Sequence, residues 1–463
     1  MNKYFEIINP YDGQVVGESP NLSQRDIGEL LNKTFNYQDE LKASDKYDII
    51  SLTIKSFKKY EKSLSELISM ETGLSINGSK HEVHRASNCL SFCLKQIKSI
   101  YKSDLTDEYS KNLNKSTPKL SVLSEPLDLA IGITPFNHPL NMVIHKVGPA
   151  IVAGTPIIIK PSEKTPLTAY RLRKILINNG LPEDFFNIIS GLPPKDVVDQ
   201  IISYPKYDLV CFTGGVSVGK YIARKMVNSG NELKKYIPEL GGNAVFVVMD
   251  DCNVELAAEL ALGAFENSGQ RCTAIRRILL HKNISKNFID RFVELTSQLK
   301  YGDPFDSNNH MGTVISPEQA QLINQRVDDA IKEGARLLIG NKIDGALYAP
   351  TILDNVSPNS EIVQKETFGP VVSIMLINDL TEAISYLKSD RFGLASGIVT
   401  ESKKNALKLY DNICVGQFNW NGRPGYRTEE APFGGFKDSG NGEKEGIVLM
   451  TKAFRRIRTF YEH

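Results

Sequence analysis

The residue best suited to chemistry in this sequence is Cys272, in the polar stretch 266–274. An alanine- and leucine-rich helical pattern over residues 254–265 precedes this stretch, and residues 276–280 have the pattern of a strand. The cysteine is therefore predicted to lie on a short loop, where a thiol can meet a substrate. Arg271 beside it is expected to favour the thiolate, which is the nucleophilic form. Because a lone cysteine more often packs than reacts, the assignment needs further residues.

A glycine-rich turn at residues 212–219 could bind an anion. It lies between a predicted strand and a predicted helix, and it presents backbone N–H groups and a helix N-terminus to a group such as pyrophosphate. A turn of this kind is more often only a turn. Lys160 and Glu163 end another buried strand, at the edge where parallel sheets bind ligands. The alternative for these two residues is an exposed ion pair.

The elements that must position these residues alternate between strand and helix. Strands are predicted at residues 156–160, 185–190 and 208–213. The helix after the first strand is predicted to have Thr165 as its N-cap and Pro166 as its first residue, and to stop at Gly180. After Glu239 the scheme repeats, with a strand at 244–249 and a later helix capped by Ser285. A hairpin at 5–16 and helices over 23–102 precede both runs. This order predicts two doubly wound α/β domains, each with a mostly parallel sheet.

Composition excludes several classes of function. The chain has 463 residues, 41% of them hydrophobic and 24% charged, which is typical of an ordinary soluble protein. A net charge of +1 gives no reason to expect nucleic acid or an anionic membrane as a partner. Its six cysteines have no metal-ligand spacing and are too few for a disulfide framework. We find neither a signal-peptide core nor a membrane-spanning run, and expect a cytoplasmic protein without a bound metal.

Three stretches around the candidate nucleophile resemble the aldehyde dehydrogenase superfamily: residues 266–274, residues 239–243 and residues 365–370. The resemblance runs essentially the full length of the chain, and the remaining stretches follow in the family's order. They are Asn9-Pro10, Thr134-Pro135-Phe136-Asn137, Lys160-Pro161-Ser162-Glu163, Phe212-Thr213-Gly214-Gly215 and Pro432-Phe433-Gly434-Gly435. Any one of them is a weak signal, and the combination identifies the chain as a member of the superfamily.

The resemblance implies a role for each of three catalytic residues. Cys272 attacks an aldehyde carbon, and the Asn137 side-chain amide with the Cys272 backbone N–H holds the resulting oxyanion. Glu239 then activates water to hydrolyse the thioester. Members that pass the acyl group to coenzyme A tend to lack this base, so Glu239 favours release of a free acid.

The resemblance also implies a nicotinamide cofactor. The turn at 212–215 is assigned to its diphosphate, Lys160 and Glu163 to the adenosine ribose, and Glu366 and Phe368 to the nicotinamide ribose. The full expected set is Thr134, Pro135, Phe136, Lys160, Ser162, Glu163, Phe212, Thr213, Gly214, Gly215, Val218, Leu240, Gly241, Glu366 and Phe368. Since the charge of Glu163 would repel a 2′-phosphate, NAD is expected rather than NADP. The family often has serine at position 215 and glutamate at 217, where this chain has glycine and serine.

Basic residues near the predicted aldehyde tunnel point to an anionic substrate. Arg85 lies on a helix whose counterpart in the family lines the tunnel, Arg271 precedes the nucleophile, and Arg427 lies just before residues 432–435. His138 and Thr273 are further candidate contacts. Guanidinium forks suit phosphate or phosphonate oxygens. Each arginine also has an ordinary interpretation, and Arg427 could pair with an acidic residue at 429 or 430.

The substrate itself is left open by the sequence. The surroundings of Asn137, Cys272 and Arg427 look most like those of phosphonoacetaldehyde dehydrogenases, which would make phosphonoacetate the product. Glyceraldehyde 3-phosphate, oxidised without phosphorylation, or succinic semialdehyde would satisfy the same charges, and lactaldehyde would not need them. A catalytically silent structural or binding member of the fold is the rival class.

Domain limits and assembly follow from the same resemblance. Residues 1–115 and 132–238 are predicted to form the NAD-binding domain and residues 239–437 the catalytic domain. Segments 116–131 and 438–463 contain strand-like pieces with no obvious partner in either domain. Unpaired strands need pairing or protection, and in the family these segments form an oligomerisation arm. We therefore expect a homodimer or a homotetramer.

Overall fold

The structure is a computed structural model that describes residues 2–100, 104–110, 118–230 and 232–463. Its strands are β1 (Tyr4–Ile8), β2 (Val15–Pro20), β3 (Lys119–Pro126), β4 (Ala130–Ile133), β5 (Ile157–Lys160), β6 (Phe186–Ile188), β7 (Leu209–Thr213), β8 (Lys235–Glu239), β9 (Ala244–Val248), β10 (Ile275–His281), β11 (Arg336–Ile339), β12 (Ile343–Asp344), β13 (Leu347–Tyr348), β14 (Thr351–Asp354), β15 (Val371–Ile377), β16 (Phe392–Gly393), β17 (Ala395–Val399), β18 (Gln417–Trp420), β19 (Phe436–Lys437) and β20 (Arg455–Glu462). Its α-helices are α1 (Gln24–Phe35), α2 (Ala43–Lys59), α3 (Glu61–Thr72), α4 (Ile76–Ile100), α5 (Thr106–Ser110), α6 (Asn141–Ala153), α7 (Leu167–Asn178), α8 (Pro194–Ser203), α9 (Val216–Asn228), α10 (Val254–Ala261), α11 (Ser285–Ser297), α12 (Pro317–Lys332), α13 (Glu361–Gln364), α14 (Leu380–Ser389), α15 (Lys403–Asn412) and α16 (Ile447–Ala453).

The first sheet is parallel and has helices on both faces. Its five strands lie in the order β6-β5-β4-β7-β8. Ile157 and Ile159 of β5 point to a core shared with α2, α4 and α6, whereas Ile158 points to a core shared with α1, α8 and α9. Because successive side chains of a strand face opposite sides, this division shows that both faces are covered. The predicted doubly wound arrangement is confirmed for this half of the chain.

The second sheet repeats this plan with seven strands, in the order β11-β14-β15-β10-β9-β17-β18. Only β11 runs antiparallel to its neighbour. Phe246 and Val248 of β9 face α10 and α11, and Val245 and Val247 face the helices α12, α14 and α15. The two sheets therefore give the aldehyde dehydrogenase-like α/β fold predicted from the sequence.

Two predicted helix starts are wrong in detail. Helix α7 begins at Leu167, and Thr165 does not cap it. The Glu71 carboxylate from α3 accepts the N–H groups of Leu167 and Thr168 at 2.6 and 2.9 Å instead. Helix α11 begins at Ser285 itself, whose hydroxyl donates to the Lys282 carbonyl at 2.8 Å. In the first case a carboxylate distant in sequence does what a local side chain was expected to do.

The strand pieces without a predicted partner pair with each other. Strand β20 runs antiparallel to β3, from Arg455 opposite Pro126 to Glu462 opposite Lys119, in a sheet of two strands. Ile457 and Phe460 on this ribbon are 56% and 62% exposed. A ribbon of two strands is at best marginally stable by itself. These exposed apolar side chains therefore suit the predicted role as an oligomerisation arm, which stays a prediction.

The predicted domain limits also stay a prediction, and several elements bear on them. The boundary between residues 115 and 116 lies outside the described residues. Strand β8, which ends at Glu239, belongs to the first sheet, as does β4, which starts at Ala130. Helix α16 packs into the core of the first half. Within the described part of the chain, no helix is both long and apolar enough to cross a membrane.

Candidate active site

The register of the first sheet brings predicted site residues to one edge. Ile133 of β4 lies opposite both Lys160 of β5 and Phe212 of β7, and Thr213 lies opposite Glu239 of β8. All these strands are parallel, so their carboxyl ends meet at the same side of the sheet. The loops after β4 and β7 start there, which places residues 134–137 and 214–215 beside Glu239.

The loop that carries Cys272 is held from several directions. It follows a tight turn in which Asn267 and Ser268 both have φ of 52°, a conformation that non-glycine residues rarely adopt. The Gln270 side chain accepts the N–H of Ile315 at 2.8 Å, and the Gln270 carbonyl accepts the Asn137 amide at 2.8 Å. These contacts fix the backbone that leads to the nucleophile.

A cavity of about 280 Å³, the inner cavity, joins the three predicted catalytic residues to the cofactor side. Asn137, Glu239 and Cys272 all line it. The predicted cofactor residues that line it are Pro135, Phe136, Thr213, Gly214, Gly215, Leu240, Gly241, Glu366 and Phe368. A reacting carbon in this cavity could therefore meet the thiol, the carboxyl base and the amide donor. The individual roles remain proposals.

Burial opposes ionisation of the Cys272 thiol. Burial raises its pKa to about 11, and Glu366 and Glu239 act in the same direction. Arg427 and Arg271 lower it, but by less. The expectation that Arg271 favours the thiolate therefore has the correct sign and is outweighed. The reason is that burial of the thiol has the larger effect. Arg271 itself forms an ion pair of 2.5 Å with Glu266.

Glu239 is a buried carboxyl group without a hydrogen-bond partner among the described residues. Its side chain ends β8, and the residue is 2% exposed. Burial and the nearby Glu445 carboxylate raise its pKa well above the usual range. A carboxylate with a raised pKa and two free oxygens is a stronger base than an exposed one.

A buried ion pair next to Glu239 escaped the sequence analysis. Lys146 of α6 is fully buried, and its Nζ lies 2.6 Å from Glu445 Oε1 and 2.9 Å from Thr213 Oγ1. Burial, which would lower the pKa of Lys146, is outweighed by Glu445, and the pKa is raised. A sequence signal did exist, because His145 and Lys146 interrupt the otherwise apolar stretch 142–153, where a buried charge needs a partner.

The glycine-rich turn fits the diphosphate of a dinucleotide. Helix α9 has Gly215 at its N-cap and no side chain that caps it, so its first N–H groups can bind a phosphate. A Cβ at Gly215 would have no neighbour within 4 Å, whereas one at Gly214 would lie 2.5 Å from the Phe212 ring. The turn is thus open on one side and packed on the other, with Val218 46% exposed in the first turn of α9.

The residues expected at the adenosine end of the cofactor lie at the ends of β4 and β5. Lys160 Nζ is 3.3 Å from Glu163 Oε2, and Ser162 Oγ accepts the Lys164 N–H in the loop between them and α7. The buried hydroxyl of Thr134 at the end of β4 has no partner among the described residues, which leaves it free for a ligand. These residues fit the adenosine end of the cofactor.

The nicotinamide end is rigid. Glu366 Oε1 accepts the N–H of Gly242 at 3.0 Å, and burial raises the pKa of Glu366 to about 7. Phe368 packs edge-on against Phe136, with 5.7 Å between the ring centroids. A Cβ at Gly241 would lie 2.2 Å from Glu366 Oε2, so this glycine is needed for the close approach.

The predicted substrate residues gather on the opposite side of Cys272. Arg85, His138, Arg271, Thr273 and Arg427 all line both the inner cavity and a larger cavity of about 1090 Å³. We call the larger one the outer cavity. The aldehyde would enter through it to reach the thiol.

Two of these side chains have partners that the sequence did not reveal. Arg85 Nε donates to Glu429 Oε1 at 2.7 Å, and Glu429 Oε2 lies 2.8 Å from His145 Nε2. Arg427 forms no direct ion pair with Glu429, although the charge of Glu429 acts to raise its pKa; it lies over the Phe433 ring, 4.1 Å from the centroid. Arg427 Nη1 is buried and has no hydrogen-bond partner within the described chain. Burial lowers the pKa of Arg427.

The substrate contact predicted for His138 stays a prediction, but both ring nitrogens of His138 have partners within the protein. His138 Nδ1 lies 3.4 Å from Glu82 Oε2, and Nε2 lies 2.9 Å from the Asn267 amide. Burial lowers the pKa of His138, so the neutral ring has one N–H. Since the Glu82 carboxylate only accepts, that N–H is on Nδ1, and Nε2 accepts from Asn267. His138 therefore holds the turn before the nucleophile loop.

Comparisons with known proteins agree with this site. The model of the aldehyde dehydrogenase family matches residues 1–459. A sulfoacetaldehyde dehydrogenase of Neptuniibacter caesariensis is 33% identical over 99% of both chains. A 3-sulfolactaldehyde dehydrogenase of Priestia aryabhattai is 32% identical over 95% of this chain and 91% of its own.

A solved structure of comparable length has the same fold. The glyceraldehyde-3-phosphate dehydrogenase of Methanocaldococcus jannaschii, complexed with NADP, superimposes with a TM-score of 0.91 and 31% identity over 99% of both chains. The family model and these full-length relatives agree with the cysteine-centred cavity and the dinucleotide cradle. The chain belongs to the aldehyde dehydrogenase family and is an oxidoreductase that uses a nicotinamide cofactor.

Proposed function

We propose that the protein oxidises a small aldehyde with an anionic tail to the free acid, with NAD as the preferred cofactor. The observation that carries the proposal is the buried Nη1 of the half-buried Arg427, which has no hydrogen-bond acceptor among the described residues and lies in the same cavity as Cys272. A buried N–H donor without an acceptor is unfavourable, and an anionic group bound at Arg427 would remove that cost.

The residues divide the chemistry as follows. The thiolate form of Cys272 adds to the aldehyde carbon, and the Asn137 amide holds the oxyanion that forms. A nicotinamide dinucleotide would supply the hydride acceptor when bound, and loss of hydride from the former aldehyde carbon would leave a thioester on Cys272. Glu239 takes a proton from water, and the water oxygen displaces the Cys272 thiolate to release the acid. The two oxygens of Glu239 have no competing partner in the described residues.

Glu163 supports NAD over NADP. Its carboxylate lies beside Lys160 at the end of β5 and would accept hydrogen bonds from the adenosine ribose hydroxyls. A 2′-phosphate there would face this negative charge, although Lys160 offsets part of it. The relative from Methanocaldococcus jannaschii was solved with NADP, so the preference is a property to measure in this chain.

The nature of the anion has several candidates. The names of two relatives specify aldehydes with a sulfonate, whereas lactaldehyde, in the name of a relative from Methanococcus aeolicus, has no charge. Phosphonoacetaldehyde, favoured by the stretches around Asn137 and Arg427, remains one candidate, as do glyceraldehyde 3-phosphate and succinic semialdehyde. All except lactaldehyde would place an anion near Arg427.

Replacing Arg427 with glutamine tests the proposal. A charged hydrogen bond is worth roughly 1.5–3 kcal/mol, so kcat/KM for an anionic aldehyde should fall by about 10- to 100-fold. The value for propanal should change by much less, because propanal has no group for Arg427 to bind. Arg25→Gln, which removes an 86% exposed arginine side chain, is the matched control. Equal losses of kcat/KM for charged and neutral aldehydes would contradict the proposal.

A further inference from the structure

Two carboxylates, Glu429 and Glu266, pair with arginines that line the cavities. Glu429 accepts from Arg85, and Glu266 pairs with both Arg271 and Arg423, one on each oxygen. Among the described arginines that line either cavity, Arg427 alone has no carboxylate partner. The guanidinium groups near the thiol are therefore unequal, although the sequence presents them as equivalent.

The Arg85–Glu429 pair has no net charge. His145, the second partner of Glu429, is buried in α6, and burial lowers its pKa. The neutral ring donates its Nε2–H to the carboxylate and contributes no charge. Arg85 is 17% exposed and the Glu429 side chain 9%, so this pair is shielded from water.

The second carboxylate, that of Glu266, is more exposed to solvent. The Arg423 side chain is 42% exposed and that of Glu266 is 39% exposed, and water screens charges at such positions. On the cofactor side of the thiol, Glu445 is compensated by Lys146. Arg85, Arg427 and Glu429 together thus carry one net positive charge in the buried part of the substrate site.

We propose that Glu429 determines specificity by cancelling the charge of Arg85, so that the site accepts an aldehyde whose tail carries one negative charge. A sulfonate or a carboxylate fits this description, and a dianionic phosphonate or phosphate does not. The second charge of a dianion would be buried without a cation, because Arg85 is already engaged. The inference rests on the proposed function, in which the anion binds at Arg427.

Two aldehydes of the same length test this inference directly. Sulfoacetaldehyde and phosphonoacetaldehyde both have two carbons and a tetrahedral acid group. At about pH 9 the sulfonate carries one negative charge, whereas the phosphonate, which can lose a second proton, is mostly a dianion. With propanal as the neutral reference, kcat/KM of the unmodified enzyme should be at least about tenfold higher for sulfoacetaldehyde than for phosphonoacetaldehyde.

Variants of Glu429 show whether that residue sets the preference. Glu429→Gln leaves the charge of Arg85 without a carboxylate partner. It should raise the ratio of kcat/KM for phosphonoacetaldehyde to kcat/KM for sulfoacetaldehyde by about tenfold. Glu430→Gln is the matched control, because it removes the same charge from the next residue, which is half-exposed and 3.5 Å from Lys95. Arg85→Gln should reduce the preference for sulfoacetaldehyde over propanal, since Glu429 then opposes Arg427. Combining Arg85→Gln with Glu429→Gln should restore it.

The possible failures are distinguishable. If the unmodified enzyme uses neither anion better than propanal, the proposed function itself fails. If it prefers both anions but uses phosphonoacetaldehyde as well as sulfoacetaldehyde, the role of Glu429 is overturned and the anionic-aldehyde proposal stands. The same conclusion follows if Glu429→Gln behaves like Glu430→Gln. The first comparison needs no variant and is therefore independent of how the variants fold.

Discussion

Replacing Lys146 with methionine removes one partner of a fully buried ion pair while keeping the length of the side chain. Lys146 is 0% exposed, the Glu445 side chain is 5% exposed, and their charged atoms lie 2.6 Å apart. The variant leaves Glu445 buried without a cation, beside a second buried carboxyl group, Glu239. Removing one partner of a buried pair typically costs about 3–5 kcal/mol, and we expect a loss in this range.

The same reasoning predicts that removing both charges is far less damaging. A buried pair replaced by neutral side chains is often close to neutral in stability, so Lys146→Met with Glu445→Gln should regain most of the loss. Urea unfolding followed by Trp420 fluorescence and by circular dichroism measures each midpoint, and agreement between the probes checks for a single transition. Lys174→Met, at an exposed lysine of α7, is the control. A Lys146→Met enzyme within about 1 kcal/mol of the unmodified one, or a double variant no better than either single variant, would refute the reasoning.

The pair also sets the pKa of the proposed base, in opposite directions. Glu445 raises the pKa of Glu239 and Lys146 lowers it. The pH at which steady turnover reaches half its maximum should therefore rise in Lys146→Met and fall in Glu445→Gln, provided that deacylation limits the rate. Shifts in the same direction would contradict the assignment of Glu239 as the titrating base.

Four further predictions concern other parts of the molecule. Glu239→Gln should keep a first-turnover burst of NADH and slow the steady rate, whereas Cys272→Ala should abolish both; a normal steady rate for Glu239→Gln would show that another group activates water. Because the pKa of Glu239 in the folded chain is raised, the stability it contributes is present below its ordinary pKa of about 4.5 and is lost as pH rises through the raised value. The urea midpoint of Glu239→Gln should therefore gain on that of the unmodified chain as pH rises above about 4.5, and parallel midpoints would contradict this. Glu163→Gln should narrow the ratio of kcat/KM for NAD over NADP, and an unchanged ratio would remove Glu163 from that role. Deleting residues 455–462 should reduce the assembly to a smaller species in sedimentation, and an unchanged mass would rule out the β3–β20 ribbon as the arm.

The sequence was most informative about the strands and helices and about the motif residues that lie next to them. Strand and helix alternation predicted both sheets, and the motif residues Asn137, Glu239 and Cys272 do line one cavity. Their roles remain predictions, as do the oligomeric state and the location in the cytoplasm. These features were accessible because each depends on local periodicity or on residues that flank the end of one strand.

Pairing between distant residues could not be predicted. Arg85 and Glu429 are 344 residues apart, and Lys146 and Glu445 are 299 apart, so nothing local links them. The state of Cys272 was misjudged for a related reason. Arg271 is adjacent in sequence and favours the thiolate, but burial by residues from several loops has the larger effect on the pKa. Whether Arg271 or burial has the larger effect on the pKa of Cys272 is decided only in the folded chain.

The pairing of Lys146 with Glu445 has a consequence for the order in which the protein matures. Cys272, Glu239 and Lys146 have all left the ribosome well before Glu445 and helix α16 are synthesised. Until then α6 carries a lysine whose buried position has no counter-charge. Residues 445–453 supply that charge and cover α6, so the surroundings of Glu239 are complete only once this segment has been synthesised and has packed onto the first half of the chain.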